Sequence, residues 1–277
     1  MSRIDFGQSF GQYDESWINS FQSSIPGIIT SQERRLYKPE YPYQYVHFIS
    51  QSHAGELFIQ ACKDFARPIL SHVRIEVIDR NNFRTSDSVM AYLVNLQEIQ
   101  TDEDRTMTFL GEHGSSLVLE SDGKFHMNSK GYRPIEEQNL TPVVTSSDPY
   151  DGEWIARLSP FFAFHYELNP FIDEEAHNSE LFDGRKRIGS DLPVMFHLSR
   201  LFNPSDTITI QVFGKYFSLD FRMVDDQNDQ FHDTIRIKDI TQVRISDSGV
   251  IHAKTTYTQR NTELLLNPNG EYLMKSG

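Results

Sequence analysis

Polar and apolar residues alternate most clearly in the last third of the chain. Thr207 to Val212, Tyr216 to Val224, Thr234 to Ile240 and Thr241 to Ile245 each carry apolar side chains at about every second position. Successive side chains of an extended strand point to opposite faces, so this pattern buries one face and wets the other. The stretch from about Leu192 to Met274 therefore reads as a small antiparallel sheet or barrel. It closes with a hairpin in which Glu263–Leu266 and Glu271–Met274 flank Asn267-Pro268-Asn269-Gly270. A terminal hairpin carries an edge, and an uncovered edge can pair with another chain.

The first half is more mixed. Leu57, Phe58, Ala61, Cys62 and Phe65 recur at the spacing of one helical face, which predicts a helix over 53–66 stopped by Pro68. Val73–Ile78 reads as a strand, whereas Asp87–Ile99 satisfies both periods and stays open between strand and helix. Leu117–Glu120 and Lys124–Met127 flank Ser121-Asp122-Gly123, a hairpin whose glycine takes the positive φ that the turn requires. In the middle, Glu153–Leu158 has room for one or two helical turns. Asn169-Pro170 followed by Asp173, Glu174 and Glu175 has the cap, proline and early acidic residues of a helix start.

These elements predict an α+β, β-rich fold: two small antiparallel sheets or barrels joined by a helical middle segment. The expected organisation is an irregular, aromatic-rich arm over 1–45, a helix plus β domain over 46–138, a linker and helical segment over 139–190, and a C-terminal antiparallel β domain over 191–277. Disordered tails are poor in aromatics. The arm is rich in them, so it is expected to pack, either along its own body or along a partner.

Composition narrows the partners. The formal charge is −13, and no basic stripe is visible. A groove that tracks a phosphate backbone needs surplus Lys and Arg, which disfavours nucleic acid. No apolar run is long enough to span a bilayer and the N-terminus lacks the apolar region of a signal peptide, so a cytoplasmic protein with no direct membrane insertion is expected. Cys62 is the one cysteine. It cannot form an internal disulfide, and it reads as buried packing rather than as a nucleophile. Twenty Phe and twelve Tyr form a heavy aromatic load, and interface cores are enriched in such rings. Trp17, Phe21, Tyr41 and Tyr43 in the arm, and Phe161, Phe162 and Phe164 in the dense apolar run 159–166, are the interface candidates; core packing is the alternative for that run.

The search for chemistry finds no motif that stands alone. Glu174 and His177 share a helical face, but a metal centre needs three or four ligands. Glu112-His113-Gly114-Ser115 lacks the glycine-flanked elbow that presents a nucleophilic serine. The acidic run 225–229 lacks the order of a calcium loop. No phosphate-cradling glycine motif is present. No catalytic residue, metal or cofactor is expected.

Two passages echo each other. Pro68, His72, Val118, Ser121, Asp122 and Tyr132 recur as Pro193, His197, Val243, Ser246, Asp247 and Tyr257, all at a spacing of 125, which raises the question of a duplicated β-rich domain. The C-terminal member also resembles the PilZ family of small β-barrels. Arg244-Ile245-Ser246-Asp247-Ser248-Gly249 has the family's Ser and Gly spacing, and the run from Arg187 to Val194 resembles the passage from its arginine motif into the first strand. Arg244 stands where the family has Asp or Asn, and Arg185 and Arg187 lie two apart rather than four. The resemblance implies a barrel in which Arg185, Arg187, Ser246 and Gly249 would be the cyclic di-GMP contacts, with ligand binding partly lost. The leading expectation is a non-enzymatic structural or adaptor subunit of a larger bacterial assembly, such as a secretion or injection apparatus, working through protein partners and as a homo-oligomer. A cyclic di-GMP sensor and an unrecognised hydrolase are the alternatives.

Overall fold

Alternation wins almost everywhere. The computed structural model describes residues 2–5, 16–25, 27–35, 43–52, 55–65, 67, 70–79, 89–112, 114–133, 141–145, 164–168, 194–199, 207–213, 216–224, 230–237, 240–246, 248, 250–267 and 271–277. Among them lie twenty strands and one α-helix, α1 (Ser16–Ser24). The first ten strands are β1 (Ser2–Asp5), β2 (Ile28–Arg35), β3 (Tyr43–Ser52), β4 (Gly55–Asp64), β5 (His72–Val77), β6 (Val89–Val94), β7 (Leu96–Thr101), β8 (Met107–Gly111), β9 (Ser116–Leu119) and β10 (Phe125–Asn128). The second ten are β11 (Thr141–Thr145), β12 (Phe164–Leu168), β13 (Val194–Ser199), β14 (Thr207–Phe213), β15 (Tyr216–Val224), β16 (Gln230–Ile237), β17 (Ile240–Ile245), β18 (Ile251–Thr255), β19 (Thr262–Leu266) and β20 (Tyr272–Ser276). No helix among the described residues is long and apolar enough to cross a membrane.

The strands form two ten-stranded antiparallel sheets. Sheet A runs β1-β7-β8-β9-β10-β20-β19-β18-β17-β11, and sheet B runs β12-β13-β14-β15-β16-β6-β5-β4-β3-β2. The β-rich expectation is met, but the expected division of one sheet per half is not: each half supplies five strands to both sheets. The helices expected at 153–158 and after Asn169 lie outside the described residues. The helix expected over 53–66 is instead strand β4. Leu57, Ile59 and Ala61 alternate into the core with no exposure, while Phe58 and Cys62 are apolar on the opposite face. Apolar residues on both faces of a strand imitate a helical stripe. The C-terminal hairpin has no free edge either, because β20 pairs with β19 on one side and β10 on the other.

Read from its two ends, each sheet repeats itself. Sheet A runs β1-β7-β8-β9-β10 inward from one end and β11-β17-β18-β19-β20 from the other; sheet B runs β2 to β6 and β12 to β16. We call β1–β10 repeat 1 and β11–β20 repeat 2. Details recur as well. A bulge between Leu96 and Glu98 in the β7–β8 ladder returns between Ile240 and Gln242 in the β17–β18 ladder. In the following turns, Thr106 N–H donates to Asp102 Oδ1 (2.9 Å) and Val250 N–H donates to Ser246 Oγ (2.9 Å). Reciprocal backbone bonds close the same turns, Asp102 N–H to Thr106 O (3.1 Å) and Ser246 N–H to Val250 O (3.0 Å).

The duplication is real in the strand plan, but not at the spacing of 125. Ladder registers equate Met107 with Ile251, a spacing of 144, and Met127 with Met274, a spacing of 147. At 147, residues 115–129 align with 262–276 and share Leu117/Leu264, Leu119/Leu266, Gly123/Gly270, Met127/Met274 and Ser129/Ser276. His72 on β5 and His197 on β13 are not equivalent positions. Where the repeats meet, Met127 pairs with Met274 and Ala91 with Ile235, each facing its own counterpart. An approximate two-fold axis therefore passes through both central ladders.

The core lies between the sheets. Val46, Phe48, Ile59, Val73, Ile75 and Ala91 of sheet B share one buried cluster with Ile99, Phe109, Leu117, Met127, Leu264 and Met274 of sheet A. Helix α1 adds Ile18 and Phe21, both without exposure. The Phe21 ring sits 5.6 Å from Phe48 and 6.0 Å from Phe109, so it bridges the two sheets. Burial of such a ring is worth about 1.5–3 kcal/mol. The segment read as an irregular arm thus contributes β1, β2 and a core helix to repeat 1.

Candidate functional site

Among the described residues, the side of sheet B turned away from the main core carries a concentration of half-buried and buried aromatic and polar side chains. In β3, Tyr43, Tyr45 and His47 alternate with the buried Gln44, Val46 and Phe48. Tyr43 and Tyr45 stack at 6.3 Å, Tyr45 and His47 at 6.0 Å, and His47 meets Phe58 of β4 at 5.3 Å. Register extends this ladder across the sheet in three rows: Tyr45-Cys62-His72-Val94, His47-Gln60-Arg74-Tyr92 and Ile49-Phe58-Glu76-Met90. His72 and Tyr92 are in ring contact at 5.1 Å. Arg74 and Glu76 form an ion pair within β5. Neighbouring residues of one strand face point the same way, so aromatics at every second position of β3 and opposite positions of β4 gather into one patch.

Burial sets the chemistry of this patch. Burial, aided by the nearby Asp64 carboxylate, pushes the Cys62 thiol up to about 12, so the thiol stays protonated at neutral pH. Burial lowers the pKa of His72, whose Nδ1 lies 2.9 Å from Leu70 O. Burial likewise raises the Tyr92 phenol to about 12. Aromatic rings around one internally paired Arg–Glu couple suit recognition by stacking and hydrogen bonds.

Repeat 2 keeps aromatic residues in one of these rows, where Phe213 and Tyr216 pair at the positions of Cys62 and His72, and differs in the other two. The row Ile49-Phe58-Glu76-Met90 corresponds to His197-Thr209-Asp220-Thr234, and His47-Gln60-Arg74-Tyr92 corresponds to Met195-Gln211-Ser218-Arg236. The away-facing side of sheet A differs again: it carries the ion pairs Arg3–Glu98 (2.7 Å) and Lys254–Glu263 (2.7 Å) with His252 beside Glu263 (3.5 Å).

The interface candidates are dispersed. Tyr43 belongs to the aromatic ladder. Phe21 does not fit that role, because it is wholly enclosed in the chain's own core. Trp17 lies on α1 and Phe164 opens β12, at one end of sheet B, but their side chains are outside the described set; Tyr41, Phe161 and Phe162 are outside it altogether. Of the cyclic di-GMP candidates, Arg185, Arg187 and Gly249 are outside the described residues. Ser246 is buried, with its hydroxyl taken by the Val250 amide and by Ser248 Oγ at 2.7 Å. Among the described residues, no three His, Cys, Asp or Glu side chains are grouped to hold a metal ion. Tyr45, His47, Phe58, His72 and Tyr92 are not among the sequence-derived site candidates, Phe58 and His72 entering only through a helical face and the 125-residue echo; the alternation Tyr43-Gln44-Tyr45-Val46-His47-Phe48 is the signal that marks the β3 part of the ladder.

The architecture is thus a duplicated, all-antiparallel two-sheet fold with an aromatic ladder on the far side of sheet B in repeat 1. No protein-family model matches the chain, and no curated protein matches it.

Proposed function

We propose that this protein is a non-enzymatic structural or adaptor subunit of a larger assembly, and that the aromatic face of sheet B in repeat 1 is where it engages protein partners, a second copy of the chain included. The observation that carries this reading is the half-exposed Tyr43-Tyr45-His47-Phe58 ladder with its neighbour Arg74. Tyr, Phe, Met and Arg are the residues enriched at interface cores, and Tyr and Arg dominate their energetics. The same rows in repeat 2 carry Thr209, Asp220, Thr234 and Ser218, so the outer face is not dictated by the fold.

The test is light scattering on the purified chain, alone and with partners retained from native extract. The expected mass exceeds the 32.1 kDa of one chain, and Tyr43→Ser with Tyr45→Ser, both at half-exposed positions, returns the protein to a single chain without changing its melting temperature by more than a few degrees. A strictly monomeric protein that retains no partner ends the proposal. Calorimetric titration with cyclic di-GMP separates the sensor alternative: heat that disappears in Ser246→Ala would favour it over the adaptor reading.

A further inference from the structure

Arg260 is only 2% exposed. It stands in the connection 256–261 of repeat 2, which is longer than its counterpart 112–114 in repeat 1. The backbone there is left-handed at Thr258 (φ 51) and Gln259 (φ 66). A branched residue such as threonine rarely adopts that conformation. The connection therefore turns its arginine inward at a conformational cost. A guanidinium carries five N–H donors in a fixed planar fork. Here Nη1 donates to Gly123 O in the β9–β10 turn at 2.9 Å, and the Phe125 ring lies 5.8 Å from the guanidinium carbon. Nε and Nη2 share the side-on edge. Both are buried, and neither has a hydrogen-bond partner among the described residues. Asp122 is the carboxylate whose charge reaches Arg260. It is already taken by Lys124, through the backbone N–H (2.9 Å) and the ammonium (2.5 Å).

The approximate two-fold axis shows what this end of the molecule is missing. Phe125, Ser276 and Thr262 lie in one row across β10, β20 and β19. Their counterparts by register are Tyr272, Ser129 and Ser115. At that second end the Ser115 hydroxyl bonds to the buried Asp233 carboxyl group. At the Arg260 end the position of Asp233 belongs to Val89, whose side chain accepts nothing. Thr262 there donates to Ser276 Oγ instead, at 2.9 Å. Among the described residues, one end thus buries a carboxyl group with no cation beside it, and the other a cation with no free carboxylate. An uncompensated buried charge is costly. A side-on edge with both donors free matches the two oxygens of a single oxyanion.

We propose that the Nε/Nη2 edge of Arg260 is a binding site for a small oxyanion, a carboxylate or a phosphate, held between the 256–261 connection of repeat 2 and the β9–β10 turn of repeat 1. The anion supplies the oxygens that Val89 does not. Thr258 and Gln259 are exposed, so their turn is the part of the wall that gives way to admit it. Once bound, the anion neutralises the guanidinium where it already touches Gly123 of repeat 1, and so fastens one repeat to the other. Arg260 belongs to a connection of sheet A, whereas the partner face lies on sheet B, so this site stands independently of the adaptor reading.

The experiment is thermal melting of the full chain in phosphate and in formate, each against chloride at equal ionic strength. A saturable rise in melting temperature is expected, of about 5–10 °C when the anion stands at about a hundredfold excess over its dissociation constant. Arg260→Lys keeps the positive charge but loses the side-on edge, and is expected to abolish the rise. The Arg260 Nε–H signal, followed by NMR, is expected to move with the same midpoint. A response to phosphate alone assigns a phosphate, a response to formate alone a carboxylate, and a response to both the chemistry they share. Phosphate also stabilises folded proteins in general by exclusion from their surfaces, so an equal rise in Arg260→Lys overturns the site. An Nε–H signal that neither anion moves overturns it as well. If Arg260→Lys does not fold, the Nε–H titration alone decides.

Discussion

The row Phe48-Ile59-Ile75-Ala91 in repeat 1 and the row Phe196-Ile210-Leu219-Ile235 in repeat 2 are apolar at every position and meet at the Ala91–Ile235 pair. One residue over on each strand, the two repeats diverge: Ile49-Phe58-Glu76-Met90 stands against His197-Thr209-Asp220-Thr234. A core tolerates exchange of hydrophobic residues if total volume and pattern are kept, so the first rows drift in identity yet stay apolar. The opposite face has no such constraint, and there the aromatic residues sit at different positions in the two repeats. The connections differ too. Residues 112–114 join Gly111 to Ser115, whereas 256–261 join Thr255 to Thr262. That longer connection brings Arg260 over to repeat 1, where its Nη1 donates to Gly123 O at 2.9 Å and its guanidinium lies over the Phe125 ring at 5.8 Å. Difference between duplicated halves, more than the shared plan, marks where this chain acquired specific tasks.

The comparison can be broken by substitution, beginning with the largest effect. Phe21→Ala removes the ring that bridges the sheets and is expected to cost about 3–5 kcal/mol in urea unfolding; a change under about 1 kcal/mol would mean that α1 is not part of the repeat 1 core. Met127→Ala and Met274→Ala should each cost about 2–5 kcal/mol by the same measurement. Because the two residues face each other, the costs should be similar and the double variant should depart from their sum. Widely different values would deny the two-fold equivalence. Arg260→Ala is expected to cost about 1.5–3 kcal/mol, the range for a hydrogen bond from a charged group, with faster amide exchange in the Glu120–Phe125 turn of repeat 1. Burial has already lowered this guanidinium to about 10, so the loss should persist across neutral pH. Ser246→Ala should cost about 0.5–1.5 kcal/mol, and its counterpart Asp102→Ala less, since Asp102 is exposed.

The legibility of the fold followed the number of apolar faces on each strand. Thr207–Phe213 and Tyr216–Val224 have one apolar face and read as strands at sight. Ser116–Leu119 and Phe125–Asn128 were readable because Gly123, at φ 89, closes their turn. Gly55–Asp64 was misread because Phe58 and Cys62 give its second face an apolar cast. Identical residues at one spacing do not reveal the duplication. Across 89–111 the counterparts at 144 include not one identity, because the ladders constrain which positions are apolar and not which residues fill them. The three-residue difference between 112–114 and 256–261 then shifts the match to 147. The β3 part of the candidate face is legible in its own alternation, but the whole face is not, since β4, β5 and β6 each supply three residues that only the ladder registers bring beside it.

The meeting of the repeats through β6–β16 and β10–β20 has a consequence for biosynthesis. When β10 leaves the ribosome, neither it nor β6 has its second neighbour; those arrive only with β16 and β20, more than a hundred residues later. At elongation rates of about 5–20 residues per second, the nascent first half waits for seconds with two central strands open to any passing extended segment. Such a chain should depend on trigger-type chaperones or slow expression for yield, and the same vacancy offers one nascent molecule a way to capture the second half of another.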